Sequence, residues 1–253
     1  MLEIVLEVSM KRPSERSLKI IIALLSIAII LFLIVIFLAK NGISLTNIFS
    51  KDIVSEFTMQ PEGPHPTVII DAGHGGREPG ATKGSIQEKD ITLAIALQVE
   101  KILKEKNISY YMTRNDDTYL SLEDRIDIAN KKSCKLFVSI HNNSFTDTSQ
   151  RGVLTTYNPY SETGKDIASI MQSNIGDLCQ KNRDVMPRPN LYVLRYTNMP
   201  SILLEIGFMS NKHDLKLLTE DNFQIKCAQQ IVLGIEEIIT KYFPDEVKSS
   251  AGG

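Results

Sequence analysis

The chain carries little excess charge of either sign: 28 lysines and arginines stand against 30 aspartates and glutamates, for a formal net charge of −2. Nucleic-acid binding needs a basic patch or stripe and is therefore set aside. Cysteine is scarce. Cys134, Cys179 and Cys227 are too few and too far apart for a zinc knuckle or a disulfide framework. Each lies in an apolar segment and reads as a small buried hydrophobe, with one disulfide left open if two of them meet. No internal repeat or low-complexity segment is present, and 253 residues suit one domain of ordinary size with an appendage. Histidine is sparse as well, at four residues. His65 in a proline-rich stretch and His213 after a Ser-Asn turn read as solvated, which leaves His74 and His141.

What is present begins with a different material at the amino terminus. From Ile20 to Ala39 every residue is apolar except Ser26, and such a run spans about 30 Å of hydrocarbon as a helix. A transmembrane signal anchor is expected over 20–39. A cleaved signal peptide is the alternative, but its apolar region runs to only about 7–15 residues and ends at a small-x-small site, where this chain has Phe37-Leu38-Ala39. Lys11, Arg12, Arg16 and Lys19 precede the run, against Lys40 and Lys51 behind it. The positive-inside rule then leaves residues 1–19 in the cytoplasm and the rest outside it, in a single-pass membrane protein or, on the alternative, a secreted one. Residues 40–66, with Gly42, Pro61, Gly63, Pro64 and Pro66, read as a linker. The catalytic domain is expected over 67–243 and a polar tail over 244–253.

Within that domain the pattern alternates. Val68-Ile69-Ile70 is a β-branched run suited to a strand covered on both faces, and it opens into Gly73-His74-Gly75-Gly76, where glycines permit positive φ and close approach. A helix follows over about 90–103, then a strand over 108–112. Ser121 caps a helix with acidic residues in its first turn. Leu136 to Ile140 reads as a buried strand ending at His141, and 152–157 as another. A long helix is expected over about 161–182, short strands over 191–194 and 201–205, and a last helix over about 222–242. This order predicts an α/β fold, a parallel sheet wrapped by helices.

Groups suited to zinc lie at the ends of these strands: His74 after the first, Glu88 in the loop behind it, and His141 after the third. Two histidines and one carboxylate leave a coordination position free, the stoichiometry of a catalytic zinc site. Glu205, closing the last strand between Leu204 and Ile206, supplies a second carboxylate whose burial would raise its pKa toward that of a general base.

The motifs Gly73-His74-Gly75-Gly76, Glu88-Lys89, Ser139-Ile140-His141-Asn142-Asn143 and Glu205-Ile206-Gly207-Phe208-Met209-Ser210-Asn211 occur in this order. Together they resemble the zinc-dependent N-acetylmuramoyl-L-alanine amidases. Arg125, Ala129-Asn130 and the stretch Leu191 to Arg195 fit the same pattern, whereas Ala72 and Glu78 depart from a common proline and aspartate. The resemblance implies a mixed, mostly parallel six-stranded sheet, one zinc ion held by His74, Glu88 and His141, and Glu205 as the catalytic carboxylate. It implies cleavage of the amide between N-acetylmuramic acid and L-alanine in peptidoglycan, with no inserted helix plugging the site. The anchor and the single compact domain are similar to those of amidases of endospore formers, which implies a role in sporulation or germination. Asn142 and Asn143 could contact substrate or form a turn; Arg125 could clamp substrate or serve as an ion-pair partner. Asp71 could orient a histidine or bond a backbone N–H. The rival functions are a catalytically silent peptidoglycan-binding or scaffolding protein and a zinc carboxypeptidase. A regulatory protein partner is not readable.

Overall fold

The computed structural model describes Ser26, Lys40 and residues 67–244. Among the described residues no helix is long and apolar enough to cross a membrane; the expected anchor over 20–39 apart from Ser26, the linker over 40–66 apart from Lys40, and all but the first residue of the tail lie outside them.

Six strands form the main sheet: β1 (Val68–Ala72), β4 (Tyr110–Met112), β5 (Leu136–Asn143), β6 (Val153–Tyr157), β7 (Asn182–Pro187) and β8 (Ser201–Phe208). Their order across the sheet is β4-β1-β5-β8-β6-β7. A two-stranded hairpin, β2 (Thr82–Lys83) with β3 (Ile86–Gln87), stands apart. β1 runs parallel to β4 and β5, and β5 parallel to β8. β6 is antiparallel to β8, with β7 parallel to β6. The sheet is thus mixed because the connection over 144–152 is too short for a crossover, so the chain must return antiparallel.

The helices are α1 (Glu88–Glu105), α2 (Leu122–Lys132), α3 (Gly164–Ile175), α4 (Tyr192–Arg195), α5 (Lys212–Leu218) and α6 (Asp221–Tyr242). Alternation along the strands divides the core. Val68, Ile70, Val138, Ile140, Leu204 and Ile206 face the cluster built with α1, α3 and α6. Ile69, Phe137 and Leu203 face a smaller cluster with Ala129 of α2 and Val193 and Leu194 of α4. With a side-chain period of two, His141 and Glu205 fall on this second face, toward the carboxyl ends of β5 and β8. α3, the longest helix between them in sequence, belongs to the first face through Ile167, Ala168, Met171 and Ile175.

Several expected elements differ. Residues 191–194 form no strand; α4 occupies 192–195, because a four-residue apolar run has no period that separates strand from a buried helical turn. The long helix ends at Ile175. There a Cβ on Gly176 would lie 2.1 Å from Asn182 Nδ2, so the chain turns back closely and continues as the exposed strand β7. Leu178 and Cys179 stay buried, as a helical pattern requires, while lying in turns. Glu88 opens α1 rather than lying in the preceding loop, and His141, Asn142 and Asn143 belong to β5 rather than following it. All three cysteines are buried and free.

On the second face a charged pair is sealed under α2. Arg125 Nη1 donates to Asp71 Oδ1 at 2.6 Å, and Thr113 and Ser139 hydroxyls donate to the same carboxylate at 2.7 Å each. Burial alone would raise the Asp71 pKa, but Arg125 and the two hydroxyls hold it below its ordinary 3.8. Asp71→Asn should cost about 3–5 kcal/mol of stability in a denaturant titration, since it strands the Arg125 guanidinium without its charge partner. In the wild type this contribution is complete above pH 3.8 and fades as pH falls through the lower folded-state value. A loss of well under about 1 kcal/mol for the variant would contradict the assignment.

Candidate metal centre

β1 delivers the chain into a loop whose first carbonyls are claimed by side chains from elsewhere in the fold. Arg114 Nε and Arg125 Nη1 donate to Ala72 O, Arg114 Nη2 and Thr92 Oγ1 to Gly73 O, and Arg125 Nη2 to His74 O. Two buried guanidiniums therefore hold the turn from inside, and His74 sits in the left-handed region at φ 60°. Such a conformation costs free energy that the surrounding bonds must offset. Lys89 Nζ ties Gly76 O to Asp117 at the outer edge of the loop.

Glu88 lies where this loop, α1 and β5 meet. Its Oε2 accepts from Ala81 N–H at 2.8 Å and lies 3.1 Å from His74 Nε2. Its Oε1 accepts from Asn142 N–H at 2.9 Å and lies 3.1 Å from His141 Nδ1. Burial opposes its ionisation, yet the two imidazoles hold the carboxyl well below the usual carboxylate range. An ionised carboxylate only accepts, so each facing ring nitrogen meets it either as an N–H donor or through a cation that both bind. His74 Nδ1 in turn lies 3.0 Å from Glu78 Oε1. Burial would lower the His74 pKa, but Glu88 and Glu78 carry it above its ordinary value.

The two imidazole rings meet edge to face with centroids 4.7 Å apart. One ligand atom from each of His74, Glu88 and His141 lies within 4.8 Å of the others. Two imidazoles and one carboxylate match the donor set of an open zinc site, and Glu78 beside the far ring nitrogen of His74 is the outer partner such a histidine requires. The three residues fit a metal ion.

Glu205 pairs in register with His141 across β5 and β8, which puts their backbones about 4.8 Å apart. Its Oε2 is buried without a hydrogen-bond partner. Desolvation, with His141 opposing and Glu88 assisting, pushes its pKa up to about 7.

The remaining expected residues are placed differently. Arg125 is 3% exposed and forms the ion pair with Asp71, bracing the His74 loop. Asp71 pairs with that arginine and two hydroxyls rather than orienting a histidine. Asn142 is also 3% exposed; its backbone N–H donates to Glu88, and its side-chain Nδ2 and Oδ1 are buried with no hydrogen-bond partner among the described residues. Asn143 is half-buried, its Oδ1 accepting from Ser144 N–H and its carbonyl from Met209 N–H. His213 stands 3.2 Å from the buried Asp214 carboxylate instead of being free in solvent. Arg114 and the role of Glu78 were not legible in the sequence, since neither lies in an apolar frame or a spacing that points to the loop.

The N-acetylmuramoyl-L-alanine amidase family matches residues 68–237. An uncharacterized protein of Bacillus subtilis, YqiI, is 37% identical over 171 residues, covering 67% of this chain and 83% of the relative. The germination-specific N-acetylmuramoyl-L-alanine amidase of the same organism is 28% identical over 225 residues, covering 83% of this chain and 92% of the relative. Two further amidase relatives are longer, and the chain spans 57% and 62% of their lengths. Among solved structures, the CwlD amidase of Clostridioides difficile in complex with the GerS lipoprotein superposes with TM-score 0.66 at 34% identity, covering 69% of this chain and 98% of that one.

A Cβ on Gly73 would lie 2.4 Å from the His141 ring. Gly73→Ala should therefore push the imidazole off Glu88 and weaken zinc binding about 10–100-fold in a chelator competition, the cost of disturbing a ligand's support. Wild-type affinity in that variant would rule out this packing of the cluster.

Proposed function

The chain belongs to the N-acetylmuramoyl-L-alanine amidase family, and from that premise we propose that it hydrolyses the amide joining N-acetylmuramic acid to L-alanine of the stem peptide in peptidoglycan. The observation that carries this reading is the pairing of Glu205, buried and unpaired at Oε2 with a pKa near 7, with the His74, Glu88 and His141 cluster one strand away. In this proposal His74, Glu88 and His141 hold one zinc ion and Glu205 remains outside its ligand set. Zinc bound there supplies Lewis-acid polarisation of the scissile carbonyl and brings the pKa of water to about 7.

The chain's own groups do the rest. Glu205, poised near neutrality, accepts a proton from the attacking water as its oxygen bonds to the carbonyl carbon. It then gives a proton to the amide nitrogen as the carbon–nitrogen bond breaks, freeing the amino group of alanine. Glu78 keeps the His74 ring in one orientation, and Arg114 and Arg125 keep its backbone in the left-handed turn. Asn143, beside His141 at the open end of β5, is the group we assign to substrate contact.

We also read residues 20–39 as a single-pass anchor that leaves the domain outside the cytoplasm, from the charge asymmetry around them. Likeness to a germination-specific amidase supports a role in spore peptidoglycan. A similar amidase whose structure is of a complex with a lipoprotein supports a regulatory protein partner.

Glu205→Ala should retain zinc and fold while amide cleavage falls about 10²–10⁴-fold, the range for a general acid–base. His74→Ala and His141→Ala should lose metal and activity together, with lower thermal stability in the presence of zinc. Activity is read as stem peptides with a new amino-terminal alanine released from purified peptidoglycan. A zinc-loaded wild type that binds this polymer, from cortex or vegetative wall, without releasing such peptides would instead identify a silent binding protein, and release of a carboxy-terminal residue alone a carboxypeptidase.

A further inference from the structure

A recess lies on the Glu205 face of the sheet, at the opposite end of β8. It encloses about 360 Å³ and is walled by Asn158, Tyr160, Glu162, Thr163, Thr197 and Asn198, with Leu194 and Ser201 at its base. That volume is within the roughly 300–1,000 Å³ of ordinary small-ligand sites. Leu194 belongs to the same packing cluster as Leu203 of β8, which fixes the face. Ser201 opens β8 and Glu205 lies further along the same strand, about 13 Å away at roughly 3.3 Å per residue.

The walls are held rather than loose. Asn130 on α2 donates from Nδ2 to Tyr196 O at 3.0 Å and accepts at Oδ1 from Asn198 N–H at 2.8 Å, so the 196–198 segment is pinned by one amide. Asn158 Nδ2 donates to Leu194 O and its Oδ1 accepts from Tyr160 N–H, joining the other wall to α4. Over this frame the Tyr160 side chain stands almost free, at 80% exposed. Its ring therefore offers an apolar face and a polar tip at the rim of the recess.

The chemistry of the lining selects the ligand class. Amides and hydroxyls offer neutral donors and acceptors in quantity, no lysine or arginine is among the lining residues, and the one charged group, Glu162, is acidic. Carboxylate-bearing peptides are disfavoured by that acid and by the missing cation. A neutral, polyhydroxylated ligand that presents C–H faces to an aromatic ring suits it. We propose that this recess is a saccharide-binding subsite, with Tyr160 as a stacking platform and Asn158 and Asn198 as hydrogen-bonding walls. The ligand class follows from the lining alone. That the saccharide is the glycan strand of the polymer cut at Glu205 rests on the proposed function.

The test uses the intact chain titrated calorimetrically with a linear tetramer of N-acetylglucosamine, which carries no stem peptide and cannot report amide cleavage. Wild type and Glu205→Gln should bind it equally. Tyr160→Ala, whose exposed position leaves the fold untouched, should bind about tenfold more weakly, the scale of one aromatic contact, and Tyr160→Phe should recover wild-type affinity. Absence of any binding by the wild type, or equal binding by wild type and Tyr160→Ala, would overturn the subsite. Either result would leave the amidase assignment to stand or fall on its own product assay.

Discussion

Two backbone N–H groups and two imidazole nitrogens converge on the two oxygens of Glu88, one of each kind on each oxygen. Everything else in the centre is arranged around that carboxylate. Through His74 and Ala81 it fixes the loop after β1; through His141 and Asn142 it fixes the end of β5; its own position is set by the first turn of α1. Bonds to an ionised acceptor are about twice as strong as neutral ones, so this buried anion depends on the two backbone donors and on the two imidazoles, which face it either as N–H donors or as fellow ligands of a cation. The approach is close enough to exclude side chains nearby: a Cβ on Gly80 would lie 2.6 Å from Glu88 Oε2, and Gly80 also has φ 68°. The glycines beside these motifs are thus volume constraints as much as conformational ones.

The same few ångströms hold a second carboxylate in the opposite state. Glu88 is surrounded by donors and pushed down; Glu205 has a buried oxygen with no donor and is pushed up to about 7. Two carboxyl groups whose surroundings separate their pKa values is the arrangement by which one site assigns different tasks to like residues. In the proposed reading the ligand role falls to the carboxylate held ionised and the proton-transfer role to the one that titrates near neutrality. The sheet makes this possible, since the parallel register of β5 and β8 sets His141 beside Glu205.

Much of the fold was legible because burial writes itself into apolar runs. Val68 to Ile70, Leu136 to Ile140 and Ile202 to Leu204 are strands of the buried centre, and the last helix was readable almost to the residue. Elements at the margin were not. β7, with the sequence Asn-Arg-Asp-Val-Met-Pro, is largely exposed and polar, so its strand character comes from pairing with β6 rather than from its residues. Leu191 to Leu194 is apolar because α4 tucks Val193 and Leu194 beneath the sheet, not because it pairs. At the site, His74, Glu88, His141 and Glu205 could be named in advance from strand ends and motifs. Arg114 could not, since its role is to donate to carbonyls of a loop distant in sequence, and backbone acceptors leave no mark in a sequence.

The central claim is that His74, Glu88 and His141 form one metal site with Glu205 beside it but outside it. Anomalous diffraction at the zinc edge from crystals of the zinc-loaded protein addresses this most directly. The account predicts a single anomalous peak bonded to those three side chains, with both Glu205 oxygens beyond bonding distance. A peak that takes Glu205 as a ligand, or zinc bound only elsewhere on the chain, would contradict it.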